Sequence, residues 1–189
     1  SNGVCPPSSD DVSITVQDNP LSPDAGPDQT ICSNTTQLAA TPAAGGLWTI
    51  IAGSGVFADS SLANTTVSGL SAGLNIFRWT VPGGACADAF DEVSITLDTL
   101  PSPADAGADQ TICATTASLA ANNPTSGSGI WTVVSGSAVF DDESLYNTAV
   151  SGLSVGTNIL RWTISNGVCP PSSDDVSITV QDNPLSPDA

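Results

Sequence analysis

Residues 76–97 read IFRWTV, then PGGACADAFDE, then VSITL, and this stretch decides the fold. In its first part Phe77, Trp79 and Val81 share one face, and in VSITL the apolar residues again occupy every second position, which is the period of a half-buried β-strand. The PGG sequence between the two parts is a strong hairpin signal. The stretch therefore predicts two adjacent strands that end a β-domain.

The same pattern recurs along the chain at a spacing of 81 to 83 residues. DQTIC begins at residues 28 and 109, VSGL at 67 and 150, RWT at 78 and 161, and VSIT at 12, 93 and 176. Residues 1–25 are identical to residues 165–189, which lie 164 positions later. The chain is therefore a tandem array whose larger unit contains two domains, and we read it as an excerpt of a longer array.

The repeat predicts the domain boundaries. Residues 1–18 form the C-terminal part of a preceding repeat, 19–98 and 99–181 are complete repeats, and 182–189 are a linker to the next repeat. Strand candidates in the first complete repeat are 28–32, 36–40, 47–51, 55–57 and 64–67, before the two strands described above. Seven short strands with turns every 8 to 12 residues are typical of an immunoglobulin-like sandwich. The predicted fold is all-β, with tandem immunoglobulin-like domains in a linear array.

Composition excludes several classes of protein. The chain has 19 acidic residues, two arginines, no lysine and no histidine, for a net charge of -17. Such a surface repels polyanions, so nucleic acid and anionic membranes are not expected partners. The longest apolar run is far below the roughly 20 residues of a membrane span. Without histidine or lysine, and without nucleophile-elbow, phosphate-loop or zinc-protease motifs, we predict that the chain is not an enzyme.

Two groups of charged residues have structural interpretations. The densest acidic cluster, Asp141 to Glu143, could in principle serve a glycosidase, but residues 58–60 of the first repeat read ADS, so we interpret it as a solvated turn. Arg78 and Arg161 occupy one repeat position, each before a tryptophan. We predict that each pairs with a carboxylate or an aromatic face.

The five cysteines follow the repeat. Each complete repeat has one at the end of DQTIC and one about 54 residues later, which predicts the disulfides Cys32–Cys86 and Cys113–Cys169. Cys5 is then expected to pair with an upstream repeat. Each ring would stabilise its domain by about 4 kcal/mol. A metal site is the alternative, but histidine and CxxC pairs are absent. Disulfides place the protein outside the cytosol.

The linkers between repeats, residues 17–29 and 98–110, contain prolines that limit bending. Domains of this strand length would each add about 35 to 45 Å to a rod. The linkers also contain aspartates that could bind calcium between domains, although solvated linker acids are the alternative. These are Asp18, Asp24, Asp28, Asp98, Asp105 and Asp109.

Five motifs carry a family resemblance: AGPDQTIC, LWT, NTTVSGL, GLNIFRWT and DEVSIT. In this order they resemble the PKD-like, immunoglobulin-fold repeats of giant cell-surface proteins of Bacteroidota, including gliding-motility adhesins of the SprB type. The resemblance covers essentially the whole chain. It implies export, surface attachment, and adhesion or filament formation. It also associates the triplet Asp-Thr-Leu with O-linked glycans, which makes Thr99 a candidate, and Asn34 and Asn64 begin N-glycosylation sequons.

We therefore expect a structural segment of an extracellular stalk, filament or adhesin, with no cofactor apart from the calcium and covalent glycans considered above. Its expected partners are neighbouring repeats of the same chain, and like filaments or surface glycans. One alternative is a subunit of a polymeric surface fibre or pilus, assembled by strand exchange through residues 1–25. Another is a calcium- or carbohydrate-binding adhesin module.

Overall fold

A computed structural model describes residues 9–16, 22–42 and 45–182, and these residues contain fourteen β-strands and no helix. No helix long and apolar enough to cross a membrane is found among them. The first seven strands are β1 (Gln29–Ile31), β2 (Thr35–Gln37), β3 (Leu47–Ala52), β4 (Val56–Phe57), β5 (Thr66–Ser68), β6 (Gly73–Val81) and β7 (Ala89–Leu97). The next seven are β8 (Gln110–Ile112), β9 (Ala117–Ser118), β10 (Ser128–Ser135), β11 (Val139–Phe140), β12 (Ala149–Ser151), β13 (Gly156–Ser165) and β14 (Ser172–Val180).

These strands form two sandwiches of the same design. In the first, a four-stranded sheet in the order β1-β7-β6-β3 faces a three-stranded sheet in the order β2-β5-β4. In the second, β8-β14-β13-β10 faces β9-β12-β11. The predicted hairpins join β6 to β7 and β13 to β14, which pair antiparallel along their whole length. The strands of the two sandwiches lie inside the predicted repeats 19–98 and 99–181.

The first strand of each sandwich pairs parallel to the last one. Ile31 of β1 lies opposite Leu97 of β7, and Ile112 of β8 lies opposite Val180 of β14. The residue that follows the first strand therefore lies beside the C-terminal end of the last strand. This register places the DQTIC cysteine at the end of the sandwich where the chain leaves it.

Tryptophans fill the centre of each core, as the alternation in β6 predicts. Trp48 and Trp79 lie with ring centroids 5.2 Å apart, and so do Trp131 and Trp162. All four are almost completely buried. Their indole nitrogens differ, because those of Trp48 and Trp131 donate to backbone carbonyls, whereas those of Trp79 and Trp162 have no hydrogen-bond partner.

A buried asparagine in each sandwich forms hydrogen bonds with the turns that connect the two sheets. Asn158 is 0% exposed; its side-chain oxygen accepts from the backbone N–H of Ser137 and from Ser154, and its amide donates to three carbonyls, including that of Ile178 on β14. Asn75 makes the equivalent bonds in the first sandwich. Asn75 continues the inward-facing alternation of Phe77 and Trp79, but no sequence pattern indicated its polar network.

Residues 9–16 show the effect of missing partners. They have the same sequence as residues 173–180, which form most of β14. In β14, Val176 and Ile178 are 1% and 0% exposed, but the matching Val12 and Ile14 are 84% and 80% exposed and lie outside any strand. The sequence is the same, so the difference comes from the sheet on which β14 packs.

Candidate functional site at the junction between the sandwiches

A disulfide bond joins the two sandwiches. Cys32 follows β1 of the first sandwich, Cys169 lies in the β13–β14 hairpin of the second, and their Cα atoms are 5.1 Å apart. The two residues are separated by 137 positions in the sequence. Cys169 is 5% exposed, whereas Cys32 is half-buried.

The within-repeat pairings predicted from the sequence, Cys32 with Cys86 and Cys113 with Cys169, are wrong. Cys32 lies beside the C-terminal end of β7, whereas Cys86 lies in the hairpin before its N-terminal end. The nine residues of β7 separate the two cysteines by about 26 Å, and a disulfide requires Cα atoms within about 7 Å. The same geometry separates Cys113 from Cys169 in the second sandwich.

The remaining cysteines have different settings. Cys113 follows β8, is exposed, and forms no disulfide with any cysteine among the described residues. Cys86 is half-buried in its hairpin, where its N–H donates to Gly83. Cys5, predicted to pair with an upstream repeat, lies outside the described residues.

Hydrogen bonds add to the disulfide at the junction. One carboxylate oxygen of Asp98, the residue after β7, accepts the backbone N–H of Val168 at 2.9 Å. The side-chain amide of Asn166 donates to the carbonyl and hydroxyl oxygens of Thr99 at 2.8 and 2.9 Å. Gly167 has a φ of 52°, and a Cβ there would overlap the Asp98 carboxylate. Asn166 and Gly167, which predict a hairpin from the sequence, therefore also allow the hairpin to contact the linker closely.

The linker is bound to the second sandwich beyond this point. Ser102 is 9% exposed; its N–H donates to the carbonyl of Ser126 at 3.0 Å, and its hydroxyl oxygen accepts the N–H groups of Thr125 and Ser126. Pro101 beside it is also buried. The linker thus belongs to the second sandwich, while Asp98 and the disulfide connect it to the first.

Five of the six linker aspartates considered as calcium ligands accept backbone N–H groups. Asp24 and Asp105 accept the N–H of the glycine two residues later, whereas Asp28 and Asp109 reach across to the last strand of their own sandwich, at Ser94 and Ser177. Asp98 contacts the hairpin, and Asp18 lies outside the described residues. Within residues 9–16, 22–42 and 45–182, no three carboxylates or cysteines group so that they could hold a metal ion.

The three candidate glycosylation sites differ in accessibility. Asn34 and Asn64 are exposed. The Thr99 residue is exposed as well, but its hydroxyl takes part in the junction through Asn166 and the Ser126 hydroxyl, 3.2 Å away. A glycan on Thr99 would displace these bonds, whereas the junction bonds described above do not involve the side chains of Asn34 and Asn64.

Both arginines pair as predicted. Arg78 bonds Glu92 on the neighbouring strand and lies 3.9 Å from the ring centroid of Phe90, while Arg161 bonds Asp175 through two nitrogens at 2.7 and 2.9 Å. Hydrogen bonds from Arg161 hold the pKa of Asp175 below its ordinary value of 3.8. These exposed pairs stabilise the outer face of each four-stranded sheet.

Replacing Asp175 by asparagine should lower the free energy of unfolding at pH 7 by less than about 1 kcal/mol, because solvent screens an exposed pair. Since the folded pKa is lowered, the contribution is present above the unfolded pKa and disappears as the pH falls through the folded one. Denaturant unfolding over this pH range measures the difference. Asp11→Asn is the matched control, because Asp11 has the same sequence neighbours without the sandwich. If the loss of stability caused by Asp175→Asn increased as the pH fell, the assignment of an ion pair between Arg161 and Asp175 would be wrong.

The acidic cluster at residues 141–143 forms a turn. One carboxylate oxygen of Asp142 accepts both the N–H and the hydroxyl of Ser144, and these bonds lower its pKa. Asp59 and Ser61 form the same turn in the first sandwich. In the first sandwich the residues beside Asp59 are Ala58 and Ser60, which are not acidic. The turn therefore forms without an acidic cluster and is a structural feature of the fold.

Comparison with solved structures shows what the sandwiches are similar to. The chain matches immunoglobulin domains 1–4 of Sidekick-1 with a TM-score of 0.53 and 12% identity, over 86% of this chain and 48% of that one. The PKD domain from the KIAA 1837 protein matches 47% of this chain over 94% of its own length, at 22% identity and a TM-score of 0.39.

The fold is an immunoglobulin-like β-sandwich. The Sidekick-1 match shows this fold alone, since the identity is only 12% and the chain spans about half of that fragment. No protein-family model matches the sequence, and no curated protein matches it. The predicted all-β, immunoglobulin-like fold is confirmed.

Proposed function

We propose that this chain is a load-bearing spacer segment of a long extracellular stalk, filament or adhesin, and that it is not an enzyme. The observation that supports the proposal is the Cys32–Cys169 disulfide, which joins consecutive sandwiches where they meet. A disulfide persists in an oxidising compartment, which favours a location outside the cytosol. The resemblance to SprB-type repeats of Bacteroidota is consistent with this role and remains part of the proposal.

The position of the disulfide has a mechanical consequence. A force applied to the two ends of the chain passes from Cys32 directly to Cys169, because their Cα atoms stay 5.1 Å apart. The intervening residues, which form most of both sandwiches, carry no tension while the bond is intact. A spacer of this kind keeps its length under load even if a sandwich unfolds.

Single-molecule stretching tests this role. A variant with Cys5, Cys86 and Cys113 replaced by serine keeps only the observed disulfide. Reduction should lengthen the fully extended chain by about 450–490 Å, because the 137-residue separation between the cysteines becomes extensible at 3.3–3.6 Å per residue. A second variant without any cysteine is the control and should already show the longer chain. Equal lengths before and after reduction of the first variant would overturn the load-bearing role.

Strand exchange between separate subunits is less well supported than a covalent array. Residues 9–16 do expose the apolar side chains that such a donor strand needs. However, each described sandwich already contains its own last strand, β7 or β14, fully paired with its neighbour. In both described sandwiches the position of the last strand is therefore occupied by the chain's own β7 or β14.

A further inference from the structure

Cys113 occupies the same position on the second sandwich that Cys32 occupies on the first. Cys32 follows Ile31, whose carbonyl accepts the N–H of Asp98 at 2.8 Å, and Cys113 follows Ile112, whose carbonyl accepts the N–H of Gln181 at the same distance. In both cases the cysteine lies where the chain leaves its sandwich. The first of these cysteines is bonded to the hairpin of the next sandwich, whereas the second is exposed and forms no disulfide within the described residues.

The two hairpins that follow β6 and β13 also share one geometry. Cys86 donates its N–H to Gly83 at 3.0 Å, and Cys169 donates to Asn166 at 3.1 Å. The residue two positions before each cysteine is a glycine with positive φ. Either type of repeat can therefore present a hairpin cysteine to the sandwich before it.

The sequence after β14 continues into the start of another repeat. Residues 182–189 are identical to residues 18–25, which lead into the first sandwich. A repeat that continues this sequence would follow the second sandwich as the second follows the first. It would bring its own hairpin cysteine to Cys113.

We propose that Cys113 is an inter-repeat disulfide site, and that its partner is the hairpin cysteine of the repeat that follows residue 189. One S–S bond forms as both thiols lose their protons, and the two electrons pass to a disulfide oxidant of the export compartment, which becomes a dithiol. Because Cys113 lies between Cys32 and Cys169 in sequence, this loop overlaps the observed one. Consecutive sandwiches are then linked in an interlocked series.

This inference rests on the proposed function only in that the repeats continue as an array, and its test is separate. Residues 26–97 are appended after Ala189, so that residues 182–189 and the appended copy together reproduce the sequence of residues 18–97. In the appended copy, Ala85→Val gives the hairpin peptide a distinct mass, with Val168 at the matching position as precedent. After oxidation with glutathione disulfide, peptic peptides are mapped without reduction.

The expected result is a peptide in which Cys113 is joined to the tagged hairpin cysteine. The matched control carries serine at that cysteine of the copy, and there Cys113 should react with maleimide as readily as in the original chain. Cys113 that is alkylated in the extended chain, or joined to any other cysteine, would overturn the proposal. Failure of a stretching experiment on the original chain would leave this mapping result unaffected.

Hydrogen exchange on the appended repeat confirms that it is folded. If it is not, the same mapping uses residues 107–181 as the appended repeat, whose hairpin contains the copy of Cys169, with Val168→Ala in the copy as the mass tag. Reactive Cys113 beside that folded repeat would equally reject the inference.

Discussion

Replacing Trp162 by alanine should lower the free energy of unfolding of the second sandwich by about 3–5 kcal/mol, the cost of deleting a large buried aromatic side chain. Trp162 is 0% exposed and packs against Trp131, with the backbone of Gly129 directly on its ring. A domain of this size has a total stability of about 4–12 kcal/mol. Hydrogen exchange of β13 and β14 measures the loss, and β6 and β7 provide an internal reference.

Three further substitutions make this result specific. Trp162→Phe should cost less than Trp131→Phe by about 1 kcal/mol, because the indole nitrogen of Trp162 has no hydrogen-bond partner, whereas that of Trp131 donates to Leu145. Val133 lies on β10 and is 40% exposed, so Val133→Ala should change the free energy of unfolding only slightly. If Trp162→Ala cost no more than Val133→Ala, the core assignment would be wrong.

Replacing Asn158 by alanine should lower the stability of the second sandwich by about 3 kcal/mol or more. The side chain makes six hydrogen bonds at 2.8–3.3 Å, and its removal breaks five part-buried bonds to the turns and one buried bond to the carbonyl of Ile178. Exchange of the amides in residues 152–158 should accelerate first. Denaturant unfolding and hydrogen exchange measure both effects.

The asparagine prediction has an isosteric test. Asn158→Asp keeps the shape and the acceptor oxygen but loses the three donated bonds and buries a carboxylate, so it should be at least as destabilising as alanine. Asn147→Ala, at an exposed position, is the control and should change the stability by less than about 0.5 kcal/mol. A loss below about 1 kcal/mol for Asn158→Ala would show that water satisfies the turns.

Local patterns were sufficient to predict the last two strands of each sandwich. The alternation of Phe77, Trp79 and Val81 predicts one buried face, and the structure buries these three side chains. The hairpin position follows from glycine and asparagine, whose tolerance of positive φ is a local property. The arginine pairs were also predictable, since an arginine on a strand bonds whichever carboxylate lies opposite.

The junction was not predictable in the same way, because its contacts join residues that are distant in sequence. Asp98 and Val168 are 70 positions apart, and neither carries a motif that indicates the other. The parallel pairing of β1 with β7 decides at which end of the sandwich Cys32 lies. Sequence spacing alone favours the nearer cysteine, since a shorter loop is easier to close.

Periodicity, turn residues and the repeat thus predict the segments able to form strands, the sandwich fold and the repeat boundaries, because each depends on residues within a few positions of one another or on identity between repeats. Only tertiary structure decides which strands form and which cysteines meet. The sequence SDDVSITV is a buried strand at residues 173–180, where β13 and β8 flank it, and remains exposed at residues 9–16. Likewise, the length of β7 holds Cys32 and Cys86 apart, and the junction brings Cys32 to Cys169.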